Sequence, residues 1–427
     1  MPPLLATAVR KAAWRLVPFL LLLYVLAFLD RVNIGYAKQD FLRDTGLGEG
    51  AYAFGAGIFF VAYALLEIPS NLILSRVGAR VWIGSTMIAW GIVSAAMMAV
   101  RTAPAFYTLR FLLGAAEAGF FPGMIWYLAS WFPARERGGM FGVFYFGAPL
   151  AQIFGGPLSG FLLEVNGAAG LRGWQLMFLV EGALAVLSGA AACVFLTNRP
   201  AEALWLGVGE REALQSALAA ETGVGITAGG HGRLLPVLGM GRIWRLGAIY
   251  GLIQMSVYGV AFYLPAEVAS LMGRKIGLVV SLVSAIPWLC ALAAAYAVPR
   301  LALGCGRVSA TAASSLGMAA VGIALSTTQQ AGLGLAGLCL AAAGFIGAQP
   351  IFWTFPANEL SAGNAAAGIA LINSIGAVGG FLAPNLRVLA EAASGSPRAG
   401  GIALAASTLL GAILIGFLRE RRGPQAA

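Results

Sequence analysis

Twelve apolar stretches, each about 20 residues long, constrain this chain more than any other feature. They fall at 16–37, 52–74, 81–100, 105–130, 138–163, 174–196, 243–269, 277–298, 308–327, 331–354, 365–390 and 399–418. A stretch of that length spans the hydrocarbon core of a bilayer as a helix. Lipid offers no partner for a bare N–H or C=O, so each segment must satisfy its own backbone and is driven to be helical. Composition agrees: 59% of residues are hydrophobic and 10% charged, where soluble domains carry about 25% charge. The chain reads as an all-α polytopic membrane protein with twelve transmembrane helices. The first stretch is too long to be a removed signal peptide, and it lacks a small-residue cleavage site.

Lys and Arg set the orientation. With the N-terminus inside, seventeen of the 27 fall in cytoplasmic segments and eight in outer loops, while Arg31 and Arg110 lie within spans. The positive-inside rule then puts both termini in the cytoplasm. The net charge of +10 is mostly this topology signal. Nucleic-acid binding would need a basic water-facing domain, and the chain has none. Sustained polarity occurs only around 199–241, which reads as a cytoplasmic linker with a short amphipathic helix near 201–220. It divides a six-helix bundle at 1–198 from a second at 242–427. A faint echo between the halves, Gly155-Gly156 before Pro157 and Gly379-Gly380 before Pro384, suits the internal repeats of transporters.

The first span carries Asp30 and Arg31 side by side, and the fourth carries Arg110 and Glu117. A full charge at a helix centre costs about 2.5–3.5 kcal/mol on insertion scales, so such groups face a cavity or one another. Seven residues is close to two helical turns, which puts Arg110 and Glu117 on one face but too far apart to pair tightly. Asp30 and Arg31, about 100° apart on their helix, are their natural cross-helix partners. Which acid meets which base stays open at this level.

Other polar residues within spans sketch a cavity lining. Tyr63 and Glu67 are four apart, Tyr250, Gln254 and Tyr258 share an i, i+4, i+8 face, Gln349 and Trp353 are four apart, and Asn373-Ser374 interrupts the eleventh span. Amides and phenols orient a polar solute without the cost of a full charge. Glu67, near the end of its span, and Glu181 read instead as acids that lock helices together. Cys193, Cys290, Cys305 and Cys339 show no pairing or metal-ligand pattern, and the one histidine, His231, falls in the linker, so proton chemistry within the membrane rests on carboxylates. No nucleophile–base set, phosphate loop or metal cluster points to an enzyme, a cofactor or a metal.

Several motifs together resemble a known family. DRVNIGYA at 30–37, RVGAR at 76–80, RFLLGAAEAGFFPG at 110–123, SWFPARERG at 130–138 and AAAGIALINSIGAVGGFLAP at 365–384 are similar to the anion:cation symporter branch of the major facilitator superfamily. The nearest resemblance is to its bacterial tartrate, phthalate and hydroxyphenylacetate permeases. It covers essentially the whole chain and implies two six-helix bundles around a central site in the bacterial inner membrane. It makes Arg31 the contact for a substrate carboxylate, places Asp30, Glu117 and Arg110 in proton coupling, and lines the cavity with Tyr63, Trp353 and Asn373. Departures from the pattern are Ser75, where an acid is usual, an acid-free PRLALGCGRV loop at 299–308, Ala148 in place of a glutamine and Phe28 in place of a tyrosine. Fewer hydroxyl-directed contacts favour a less hydroxylated or aromatic acid.

Charge counting gives a mechanism of its own. With both acids ionised, the four embedded charges sum to zero, so an arriving monocarboxylate leaves an excess of −1. An occluded site relieves that excess by taking up one proton. The expected function is import of an organic carboxylate by proton symport and alternating access, carried out by a monomer. The alternatives are a proton-driven exporter of drugs or organic ions, which the two embedded arginines oppose, and a transporter-like sensor, for which the linker is short.

Overall fold

The computed structural model describes residues 2–144, 146–222, 237–328, 330–359 and 362–418, and every long element among them is a helix. Eleven helices are long and apolar enough to cross a membrane: α1 (Pro3–Thr45), α2 (Glu49–Ser70 within Glu49–Val77), α3 (Ala79–Ala99), α4 (Ala103–Trp131), α5 (Arg135–Glu164), α6 (Gly173–Phe195), α8 (Leu278–Cys305), α9 (Val308–Ser326), α10 (Ala331–Pro356), α11 (Ala367–Ser394 within Ala362–Ser394) and α12 (Arg398–Gly416). The twelfth, α7, is a pair, Gly241–Ala261 and Leu264–Met272, bent by 41°. Twelve spans are therefore present, one of them broken where the sequence suggested a continuous run over 243–269.

Proline accounts for several of these breaks. Pro265 has no N–H to offer the carbonyl four residues back, and α7 bends at Phe262–Tyr263 just before it. Pro122 stands in the same relation to the interruption of α4 after Glu117. In α5 a π-helical turn over Ala151–Gly155 precedes Pro157, and Pro350 precedes the end of the regular helix of α10 at Phe352. Backbone released from the helical ladder at membrane depth survives only where protein or a cavity covers it.

Small residues bring helices close. At the crossing of α3 and α6, a Cβ on Gly91 would sit 2.6 Å from the Gly182 carbonyl oxygen, so backbone meets backbone there. Helices of the first 198 residues pack on one another, notably α3 on α6 and α2 on α4; those from residue 241 onward do likewise, with α7 on α11 and α9 on α10. The two groups meet mainly along α2–α11 and α5–α8. Between them, Val208–Thr222 forms the short helix expected near 201–220. Glu210 within it binds Lys11 at 2.7 Å, which also holds its carboxyl below the usual range. Residues 223–236, including His231, lie outside the described residues, as do the side chain of Ser75 and the C-terminal arginines.

Candidate functional site

Tyr24, Phe28 and Arg31 recur at helical spacing on one face of α1 and open onto a cavity of about 100 Å³ between the two helix groups. That space is on the scale of a small solute or several waters. Its wall on the first group is Tyr24, Phe28, Arg31, Phe60, Tyr63, Phe121 and Ala148; the opposite wall includes Tyr250, Gln254, Tyr258, Gln349, Trp353 and Asn373. All seven residues expected to bind substrate therefore line one space. The aromatic contribution of Tyr24, Phe60 and Phe121 was missed, although the spacing of Tyr24, Phe28 and Arg31 carried the signal on α1.

Arg31 is the one cationic side chain in this lining. Its Nη2 and Nε donate to the same Glu117 oxygen, Oε2, at 2.8 and 3.2 Å, and its Nη1 donates to the Tyr258 hydroxyl at 3.0 Å. The guanidinium carbon lies 5.2–5.3 Å from the ring centres of Phe28, Phe59 and Tyr63, within cation–π range. Glu117 is 1% exposed, and its Oε1 has no hydrogen-bond partner. The open question of pairing is thus answered: the helix-one arginine meets the helix-four acid. Arg110 instead donates to the backbone carbonyls of Gly55 and Ala56 on α2, both at 3.3 Å, beneath the Phe59 ring. It forms no ion pair with Glu117: the resemblance implied Arg110 as the basic partner of that acid, and Arg31 holds it instead.

Asp30 points away from the cavity. Its Oδ1 accepts from Ser94 of α3 at 2.7 Å and from Asn33 at 3.4 Å. Asp30, Glu117 and Arg110 are all buried around the cavity without lining it. Glu67 does more than lock neighbouring helices: from α2 it accepts from Asn373 Nδ2 at 2.7 Å and Ser374 Oγ at 2.9 Å, both on α11. Asn373 thus has one side on the cavity and its amide on an acid of the other group. A residue pair 306 positions apart leaves no local trace in sequence. Gln254 Oε1, by contrast, is buried without a partner.

Towards the α1–α2 loop the two groups come into backbone contact: a Cβ on Gly35 of α1 would sit 2.8 Å from the Phe262 carbonyl oxygen of α7. Lys38 binds Glu49 at 2.9 Å, and Arg387 binds Glu267 at 2.5 Å and Glu391 at 3.0 Å. The Tyr263 ring lies between Lys38, 4.4 Å away, and Arg387, 4.0 Å away. At the same end Glu164 accepts from the Leu278 N–H at 2.9 Å, joining α5 to α8. Lys38 and Arg387 entered the sequence reading only as topology signals; across the groups, Lys38 lies over the Tyr263 ring and Glu164 holds the Leu278 N–H.

Residues 20–384 match the Major Facilitator Superfamily. The chain is 48% identical to the inner membrane transport protein RhmT of Escherichia coli (strain K12), over 98% of this chain and 97% of that one. It is 41% identical to a putative tartrate transporter of Agrobacterium vitis, over 97% and 95%. Its fold is similar to the xylose transporter XylE from E. coli in a partially occluded inward-open conformation, with a TM-score of 0.71 over 97% of this chain and 100% of that one, at 15% identity. An all-helical chain with twelve spans, a central cavity between two helix groups and these relatives along its whole length belongs to the Major Facilitator Superfamily.

Proposed function

We propose that the protein imports an organic carboxylate together with a proton, by alternating access, across the bacterial inner membrane. The observation that carries this reading is Arg31: a guanidinium on the cavity wall, already holding one carboxylate, that of Glu117. A substrate anion has to compete with Glu117 for it. Protonation of Glu117 removes the competitor's charge and frees Arg31, so proton uptake and substrate binding favour each other. Loss of substrate and proton on the far side lets Glu117 take Arg31 back, so the empty site, like the loaded one, carries no net charge. The relatives' names, a tartrate transporter and an inner membrane transport protein, support the substrate class and the membrane.

Tyr63, Tyr258, Gln254, Gln349 and Trp353 orient the rest of the substrate, and Asp30 serves proton-linked switching from behind α1. Arg110 acts as a fixed positive charge beside the coupling acids, held by α2 carbonyls. The moving bodies are 1–198 and 242–427, joined by the 199–241 linker. With both termini cytoplasmic, the α1–α2 loop end is the outer one, so the molecule is closed to the outside. Glu67 ties the bodies together through Asn373 and Ser374. A substrate group that takes the Asn373 amide competes with that tie, which links occupancy of the cavity to separation of α2 from α11.

A thermal-shift screen of purified protein against aromatic and hydroxylated carboxylates, tartrate included, tests the reading, because a ligand stabilises in proportion to its occupancy. One or more acids should raise Tm in wild type and none in Arg31→Ala. Equal stabilisation of the variant removes Arg31 from the site.

A further inference from the structure

Behind α1, on the side away from the cavity, lies a second acid that the transport scheme does not use. Glu181 of α6 is 1% exposed. Its Oε2 accepts from Asn33 Nδ2 at 3.1 Å and its Oε1 lies 2.7 Å from Ser159 Oγ of α5. The same Asn33 amide reaches Asp30 Oδ1 at 3.4 Å, so one carboxamide bridges two buried carboxyls.

The hydrogen inventory of this group does not close with both acids ionised. Ser159 has one hydroxyl proton and two acceptors, Glu181 Oε1 at 2.7 Å and the Gly155 carbonyl at 3.0 Å. Asp30 Oδ2 and Asn33 Oδ1 are buried with no partner. Neither acid forms an ion pair among the described residues. The charges that reach Asp30 from α4 are Glu117 and Arg110, of opposite sign, and besides Asp30 the Tyr36 phenol of α1 feels the charge of Glu181. The Trp90 indole N–H of α3, which has no other partner, faces Asp30. Two uncompensated carboxylates this close, away from water, repel each other and forfeit solvation.

We propose that Asp30 and Glu181 form a two-carboxyl proton site bridged by Asn33, with the resident proton on Glu181 Oε1. A proton there donates to Ser159 Oγ, and Ser159 then donates to the Gly155 carbonyl, so both short contacts become proper hydrogen bonds. The pair carries one negative charge instead of two. This site is separate from Glu117 and exists whether or not the chain couples protons to transport.

Infrared spectroscopy of the full-length protein in lipid reads it directly. Wild type at neutral pH should show a protonated-carboxyl C=O band that shifts in D2O and is lost in Glu181→Gln. Ser159→Ala should move the same band to higher frequency, because its carboxyl O–H loses its acceptor. The Ser159→Ala measurement stands on its own if Glu181→Gln does not fold. A full set of protonated-carboxyl bands retained in Glu181→Gln, or no change in Ser159→Ala, overturns the assignment. So does a band abolished by sodium ions at constant pH, which would make the group a cation site. Because no substrate enters this experiment, its failure leaves the transport reading untouched, and failure of that reading leaves this result untouched.

Discussion

Glu117→Gln removes the charge that holds Arg31 while keeping the length and shape of the side chain. In wild type the substrate carboxylate gains Arg31 only after the contacts at 2.8 and 3.2 Å to Glu117 Oε2 are given up. A hydrogen bond to a charged group contributes about 1.5–3 kcal/mol net, and each 1.4 kcal/mol is a factor of about ten in affinity. Above the pH at which wild-type binding weakens, the variant should bind its carboxylate roughly 10- to 100-fold more tightly. At low pH, where wild-type Glu117 is already neutral, the two Kd values should converge. The sign follows from the exchange: a neutral residue 117 leaves Arg31 free, so binding falls with rising pH in wild type and stays flat in Glu117→Gln. Calorimetric titrations across pH measure this, and uptake by proteoliposomes adds a second readout, since the variant should exchange substrate without accumulating it on a pH gradient. A variant whose Kd follows the same pH profile as wild type would refute the competition between Glu117 and substrate.

Three further outcomes follow from the packing. Gly91→Leu forces side-chain atoms into the backbone of α6, where even a Cβ would sit 2.6 Å from the Gly182 oxygen; overpacking of this kind costs about 1–3 kcal/mol or more, so Tm in detergent should fall by several degrees. Thr408→Val removes the 2.7 Å hydrogen bond to Ser256 between α12 and α7, and by the average for such bonds in membranes it should cost only about 0.6 kcal/mol, read as a small shift in the same melting curve. Glu164→Ala removes the bond from the Leu278 N–H that joins the two helix groups at the α1–α2 loop end; with about 1.5 kcal/mol lost from that contact, a cysteine at the cavity residue Ala148 in a background without the native cysteines should react with a membrane-impermeant thiol reagent about tenfold faster.

The spans were legible because lipid leaves a long apolar run no alternative to a helix, and even there the edges were not. Helix α1 extends over Pro3–Thr45, well past the apolar core at 16–37, since a helix continues through charged flanks that a hydrocarbon criterion discards. Cavity residues such as Gln254 and Tyr258, or Gln349 and Trp353, were found because spacing of four keeps them on one face. What sequence withheld was pairing between distant elements. Arg31 with Glu117, Glu67 with Asn373 and Ser374, and Asn33 with Glu181 each depend on how helices cross, and residue spacing encodes position on a helix but not the neighbour it faces. The bend in α7 had its signal in Pro265, yet a proline inside an apolar run marks both broken and merely kinked helices.

The central claim, entry of a proton with each carboxylate, is tested most directly inside sealed proteoliposomes loaded with a pH-sensitive dye. After addition of a carboxylate that stabilises the purified protein, with pH equal on both sides and the membrane potential clamped, the lumen should acidify in step with substrate uptake. Arg31→Ala vesicles should show neither uptake nor acidification. Uptake by wild type with no change in luminal pH, or with alkalinisation, would contradict the account.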